Sequence, residues 1–151
     1  MKYQNEMHLK VPALSVNEAF VRSTVAAFCY PLNPTLEEIN DLKTAISEAV
    51  TNCVVHGYEG KGGDIEIWAG ITATEAYVTV RDFGVGIPDV NKALQPFFTT
   101  KPAEERSGMG FTVMQAFMDD LQVESAKGNG TTVKMMKSFL PTSDEVDNDN
   151  A

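Results

Sequence analysis

Hydrophobic and polar residues alternate along this chain with two different periods, and the switches between them outline its elements. Met7, Leu9 and Val11 alternate with His8, Lys10 and Pro12. This predicts a short first strand at a sheet edge, because proline cannot donate to an inner ladder. The period then lengthens. Ser15-Val-Asn-Glu18 reads as a capping box opening a helix through about Phe28, with Phe20, Val21, Val25 and Phe28 on its apolar side. Thr35-Leu-Glu-Glu38 repeats the signal and opens a longer helix to about His56, with Gly57 as its natural stop. A period of two returns in DIEIWAGI (64–71) and EAYVTVRD (75–82), two strands joined by a short turn. Gly84, Gly86 and Pro88 break that pattern. Residues 95 to 108 read as irregular, and a helix is expected from about Gly110 to about Met118. LQVES (121–125) and TTVKMMKSF (131–139) are two more strands around a Gly-Asn-Gly turn.

Helices first and an antiparallel meander later predict an α+β fold. Its form is a two-layer sandwich, with helices on one face of a mixed, mostly antiparallel sheet. No linker interrupts residues 1–140, which read as one domain. Residues 141–151 are rich in acid and asparagine and have little to bury, so they read as a frayed, disordered tail. A chain of 151 residues, 43% hydrophobic, is long enough for a sizeable core.

Charge and composition remove several classes of function. The net charge of −9 argues against direct binding of nucleic acid, whose phosphates demand a basic surface. No apolar run approaches the ~20 residues that span a bilayer, and the N-terminus lacks a signal-peptide core. Cys29 and Cys53 match no metal-ligand spacing and read as reduced, buried cysteines of a cytoplasmic protein.

Chemistry concentrates in three places. The latter half of the second helix, AISEAVTNCVVH, holds one charge among small and apolar residues and reads as buried nearly all round. An ionised Glu48 is costly there without compensation. Glu48, Asn52 and His56 follow one another at four-residue steps, so they share one stripe, and Ala45 and Ala49 leave room beside it. The stripe reads equally as a ligand site or as a structural hydrogen-bond network.

RDFGVGIP is the second place. Asp82-Phe83-Gly84 has the letters of the protein-kinase magnesium motif, but the V-A-I-K strand and the H-R-D loop are both missing. A strand-end aspartate followed by Gly84-x-Gly86 instead offers a buried acceptor beside backbone that can approach a flat ligand. Such an acceptor suits the exocyclic amine of adenine. The third place is Ser107-Gly-Met-Gly110, opening a helix whose exposed N–H groups suit phosphate. No Walker A loop occurs. Gly128-Asn-Gly-Thr-Thr132 reads as well as a plain hairpin turn as it does as a ligand contact.

In this order, E-x-x-x-N, D-x-G-x-G, G-x-G and G-T-T resemble the ATP-binding domain of the GHKL superfamily. DNA gyrase, heat-shock chaperones, sensor histidine kinases and mismatch-repair ATPases share it. The resemblance implies that Asn52 binds magnesium and Asp82 contacts adenine beside Gly84 and Gly86. It implies that Thr99, Thr100, Lys101, Arg106, Gly108 and Gly110 close over the triphosphate, and that Thr131 matches the last motif. No phosphoacceptor hairpin precedes the first expected strand, and large appended domains are missing, which leaves the stand-alone anti-sigma factors with serine-kinase activity. NEMHLKVPALSVNEAFVRSTVAAF, ISEAVTNCVVHGY, VRDFGVGIPD, PFFTTKPAEERSGMGFTVM and GTTV are similar to the anti-sigma-F factors of spore-forming bacteria, across nearly everything but the tail.

That resemblance implies a cytoplasmic homodimer that binds the sporulation sigma factor sigma-F and keeps it from RNA polymerase. It also implies ATP-dependent phosphorylation of an anti-anti-sigma protein on serine, with ATP or ADP and Mg2+ as ligands. Glu48 would accept the serine proton, and Arg106 or Lys101 would stabilise the transferring group, unless these two are solvated lid charges. The stretch from about Phe98 to Gly108 would be the lid. Glu18 and Arg22 form either a surface i,i+4 ion pair or, as the family implies, a partner contact. An ATP-gated binding module without kinase activity, and an anti-sigma kinase for a stress-response sigma factor, are the alternatives.

Overall fold

The computed structural model describes residues 2–95 and 110–139. Three strands and two helices make up the first half: β1 (Asn5–Pro12), α1 (Asn17–Phe28), α2 (Leu36–Asn52), β2 (Asp64–Ile71) and β3 (Glu75–Asp82). A short α3 (Val90–Ala93) follows, then α4 (Gly110–Phe117), β4 (Asp120–Ser125) and β5 (Thr131–Ser138). The five strands form one sheet in the order β1-β2-β3-β5-β4, so β1 with its proline lies at an edge as its sequence requires.

Every ladder among the described residues is antiparallel, which corrects the expectation of a mixed sheet. The reason is topological. β3 and β4 run in the same direction, but β5 inserts between them and pairs antiparallel with both.

The register puts one apolar set on the inner face. Ile67 opposes Val80 and Ala69 opposes Val78, while Val80 and Val78 oppose Val133 and Met135 on the next strand. These residues are buried with Val21 and Val25 of α1, Leu42, Ile46, Ala49 and Val50 of α2, and Met114 of α4, in one cluster. Burying each large side chain contributes about 1.5–3 kcal/mol, so this layer holds the helices to the sheet. Lys137 also lies on the inner face, 8% exposed. Its Nζ donates to the Phe117 carbonyl at 2.9 Å and stands 4.0 Å from Asp41 of α2.

The helix starts differ from one another. At α2 the Thr35 hydroxyl accepts from the Glu38 N–H at 3.1 Å, and Glu38 Oε1 accepts from the Thr35 N–H at 2.9 Å. This completes the reciprocal cap, worth about 1 kcal/mol. At α1 no side chain caps the helix: Val16 is the first flanking residue, and the Glu18 N–H donates to the Ser15 carbonyl instead. The turn is held by Asn17, whose side-chain amide donates to the Pro12 carbonyl. Phe20 is not on the buried side; it is 51% exposed.

Past Asn52 the second helix continues to Gly57, but as a π-turn (Cys53–Gly57) in which the Tyr58 N–H donates to the Cys53 carbonyl. Gly57 does not end it through a left-handed conformation; no positive φ is recorded there. Cys29 and Cys53 are both buried free thiols, and burial pushes Cys29 up to about 12, which keeps it protonated. No described helix is long and apolar enough to cross a membrane.

Candidate nucleotide site

The site is built where the end of α2 meets the end of β3. Strand alternation turns Asp82 inward, opposite Thr131 of β5, and leaves it only 3% exposed. Its Oδ1 accepts the Gly84 N–H at 2.9 Å. Burial raises its pKa above the ordinary carboxyl value, while the Gly84 N–H, the Cys53 side chain and the Thr131 backbone act in the opposite direction. Burial, followed by the Asp82 charge, pushes the Cys53 thiol well above its own ordinary value.

The backbone closes tightly around this carboxylate. A Cβ on Gly57 would stand 2.6 Å from Asp82 Oδ2, and one on Gly84 would collide with the Gly57 carbonyl. Gly86 takes φ +75, a left-handed conformation that glycine adopts without cost, and its α-carbon faces the Ala126 carbonyl. The loop is pinned from both sides. The Val85 N–H donates to the Gly57 carbonyl at 2.9 Å, and the Gly128 and Gly130 N–H groups donate to the Val85 and Gly84 carbonyls. The Ser125 hydroxyl accepts from the Ile87 N–H at 2.7 Å, donates to the Gly130 carbonyl, and lies 2.8 Å from the Thr131 hydroxyl. The Tyr58 hydroxyl accepts from the Phe83 N–H at 2.8 Å and donates to the Asp64 carbonyl.

The space a methyl group would need at Gly57, Gly84 and Gly86 is taken by the protein's own atoms, so these glycines let the helix end, the strand end and the hairpin close on one another. A strand-end carboxylate has the chemistry to accept from an exocyclic amine such as that of adenine. Phe83 points away from the carboxylate to solvent, 48% exposed, under the Arg81 guanidinium.

Glu48, Asn52 and His56 line up on α2 and its π-turn as their spacing requires, but all three are half-exposed, along with Thr51, Val54 and Val55. Only Ala45, Ile46, Ala49, Val50, Cys53 and Gly57 of this stretch are buried, which corrects the reading of a helix buried all round. The polar stripe is open to a ligand. No group of three His, Cys, Asp or Glu residues able to hold a metal occurs among the described residues. Magnesium commonly keeps one or two protein ligands and takes the rest from phosphates and water, so a lone Asn52 oxygen fits it.

Arg22 donates to Glu18 at 2.5 Å on α1, and its Nη1 lies 3.5 Å from the Ser47 hydroxyl of α2. The pair thus faces the helix that carries Glu48. Gly110 begins α4 and is half-buried. Thr99, Thr100, Lys101, Arg106 and Gly108, the expected lid and the expected tail lie outside the described residues.

Four shaping residues escaped the sequence reading. Gly57 was legible only as a helix stop. Tyr58 and Ser125 act through partners 5 to 38 positions away, and Cys53 acts on the pKa of Asp82 on another element; no local pattern marks any of them.

Comparison with known proteins agrees with this geometry. Residues 11–137 match the histidine kinase-like ATPase domain family. The chain is 57% identical over 137 residues to an anti-sigma F factor of Thermoanaerobacter sp. (strain X514), covering 91% of this chain and 96% of that one. It is 58% identical, with the same coverage, to one of Caldanaerobacter subterraneus subsp. tengcongensis. To one of Bacillus licheniformis it is 52% identical, over 89% of this chain and 92% of the relative. The crystal structure of the RsbU and RsbW domains of Rv1364c from Mycobacterium tuberculosis superposes with a TM-score of 0.62 at 17% identity. That match covers 92% of this chain and 33% of the other, and it shows a shared fold. Membership of an ATPase-domain family implies a site for ATP or ADP. The chain belongs to the anti-sigma F factors, within the histidine kinase-like ATPase domains.

Proposed function

We propose that this protein is an anti-sigma factor that binds sigma-F and blocks its use by RNA polymerase. We also propose that it is a serine kinase that uses ATP to phosphorylate and inactivate its anti-anti-sigma antagonist. One observation carries the reading: a buried, hydrogen-bonded Asp82 and an accessible Glu48/Asn52 stripe stand on adjoining elements of a chain more than half identical to anti-sigma F factors.

The division of labour follows from chemistry. Asp82 accepts from the adenine amine, with Gly84 and Gly86 against the ring and Thr131 behind the carboxylate. Asn52 holds Mg2+ through its amide oxygen. When bound, Mg·ATP supplies the transferable phosphoryl group and neutralises its charge. Glu48, one helical turn from Asn52, orients the attacking serine hydroxyl and accepts its proton. The family pattern assigns Thr99, Thr100, Lys101, Gly108 and Gly110 to the phosphates, and Arg106 to the charge that develops in transfer.

Partner binding is assigned to α1. Leu14, Val16 and Phe20 are 52%, 74% and 51% exposed beside the Glu18–Arg22 pair. A small groove lined by Ser15, Glu18, Val50, Thr51, Val54 and Val55 adjoins them. Apolar groups around one charged pair suit a protein surface rather than bulk water. The protein is proposed to work as a cytoplasmic homodimer.

The test is to incubate the protein with γ-labelled ATP, magnesium, sigma-F and the anti-anti-sigma protein. Nucleotide-dependent capture of sigma-F and label on a serine of the other protein are expected. Capture without label would leave an ATP-gated binding module; neither would end the proposal.

A further inference from the structure

Ser125, Thr131 and Asp82 stand in one row across three neighbouring strands. Ser125 ends β4 opposite Thr131, which begins β5, and Thr131 in turn opposes Asp82 at the end of β3. Directly opposed residues carry their β-carbons about 4.5–5.5 Å apart on one face of a sheet. The Thr131 hydroxyl, 7% exposed as a residue, thus has an acceptor on each neighbouring strand.

Proton counting decides which acceptor it serves. A hydroxyl has a single proton and two lone pairs. The Ile87 N–H donates to Ser125 Oγ at 2.7 Å and occupies one lone pair. The Gly130 carbonyl can only accept, so the Ser125 proton goes there, at 2.8 Å. Ser125 keeps one lone pair, and the Thr131 hydroxyl lies 2.8 Å from it, so Thr131 is the donor. Its proton points to β4 and away from Asp82. That matters because the carboxylate has little capacity to spare: Oδ1 already accepts the Gly84 N–H, and the Gly57 backbone closes on Oδ2.

We propose that Ser125 is a positioning residue for adenine reading: it draws the Thr131 proton off Asp82 and so leaves the carboxylate's lone pairs to the exocyclic amine. This inference rests on the adenine reading of Asp82 and adds to it a determinant of base selectivity two strands away.

The test compares binding of ATP with binding of purine riboside 5′-triphosphate, which lacks the exocyclic amine, by calorimetry. The proteins are the parent, Ser125→Thr, Ser125→Ala and the double variant Ser125→Ala with Thr131→Val, each with its melting temperature as a check of folding. Selectivity is the quantity to read, because a loop loosened at Ile87 weakens both nucleotides alike. The parent is expected to prefer ATP by about 5- to 150-fold, the range for leaving one buried polar group unpaired. Ser125→Thr keeps the hydroxyl and should hold that preference within about threefold. Ser125→Ala frees the Thr131 proton to turn to Asp82 and should lose about tenfold of the preference. The double variant removes the competing hydroxyl and should regain it to within about threefold. If alanine does not fold, Ser125→Cys gives the same reading, since its sulfur is a weak acceptor.

The failures separate. A parent that binds both nucleotides equally overturns the adenine reading of Asp82. A parent that prefers ATP, with Ser125→Ala equally selective, overturns the role of Ser125 alone, even if both nucleotides bind more weakly. A double variant as unselective as Ser125→Ala also overturns it, because the loss would then not run through the Thr131 proton.

Discussion

Gly57 and Asp82 are built against each other: a Cβ at position 57 would stand 2.6 Å from Asp82 Oδ2 and 2.7 Å from its Cγ. The end of the helix that carries Glu48 and Asn52 is thereby locked to the strand end that carries Asp82, the proposed adenine acceptor. Gly57→Ala should push either the π-turn or the carboxylate out of place. Overpacking of this kind costs about 1–3 kcal/mol. The variant is expected to melt lower than the parent and to bind ATP more weakly. A Gly57→Ala protein with the parent's melting temperature and ATP affinity would show that the contact is slack.

Asp82→Asn separates binding from stability. It places an amide donor where the carboxylate is proposed to accept the adenine amine, an unpaired contact expected to cost about 1–3 kcal/mol of ATP affinity. Its effect on stability depends on pH with a definite sign. Burial raises the Asp82 pKa in the folded protein above the ordinary 3.8. The group's contribution is then fully present below 3.8 and is lost as pH rises through the folded value. The variant lacks this titration, so its stability relative to the parent should rise with pH across that window. Melting curves of both proteins from pH 3.5 to 7 (a chosen span) check the slope; a difference that falls with pH would contradict it.

Arg22→Ala should weaken sigma capture while ATP affinity stays within about twofold. A part-exposed i,i+4 pair such as this is worth only about 0.2–0.5 kcal/mol, so the fold should tolerate its loss. Arg22 also approaches Ser47 next to Glu48, so serine phosphorylation is measured alongside. Loss of ATP affinity together with capture would mean damage to α2 rather than to a partner surface.

Lys137→Ala tests the buried end of the sheet. It leaves the Phe117 carbonyl without its donor and opens space under α4, for about 1–3 kcal/mol. Denaturant titration should show that loss, and an unchanged midpoint would remove Lys137 from the account of stability.

How much of this was legible depends on the range over which each feature is encoded. DIEIWAGI and EAYVTVRD are strands over the expected residues, because alternation is local and the register simply obeys it. The Thr35 box is local in the same sense. The Ser15 box has the same letters, yet the chain turns there through Asn17 and the Pro12 carbonyl, a contact set by where β1 ends. The short α3 was missed, its only cue being Asp89, which caps the Lys92 N–H. The site followed the same rule. Asp82, Gly84, Gly86 and the α2 stripe could be read from spacing. The π-turn, Gly57 against Asp82, and the Ser125 bridge exist only once β3, β5 and α2 have packed.

Glu48→Gln tests the central claim most directly, through one rate: transfer of labelled γ-phosphate from ATP to serine of the anti-anti-sigma protein. The exchange keeps size and hydrogen-bonding capacity but removes the basic carboxylate, while Asn52 and Asp82 are untouched. The account predicts a rate lower by about 10²–10⁴-fold, with ATP affinity and sigma-F capture retained. A rate within a few-fold of the parent would contradict it and take Glu48 out of the mechanism.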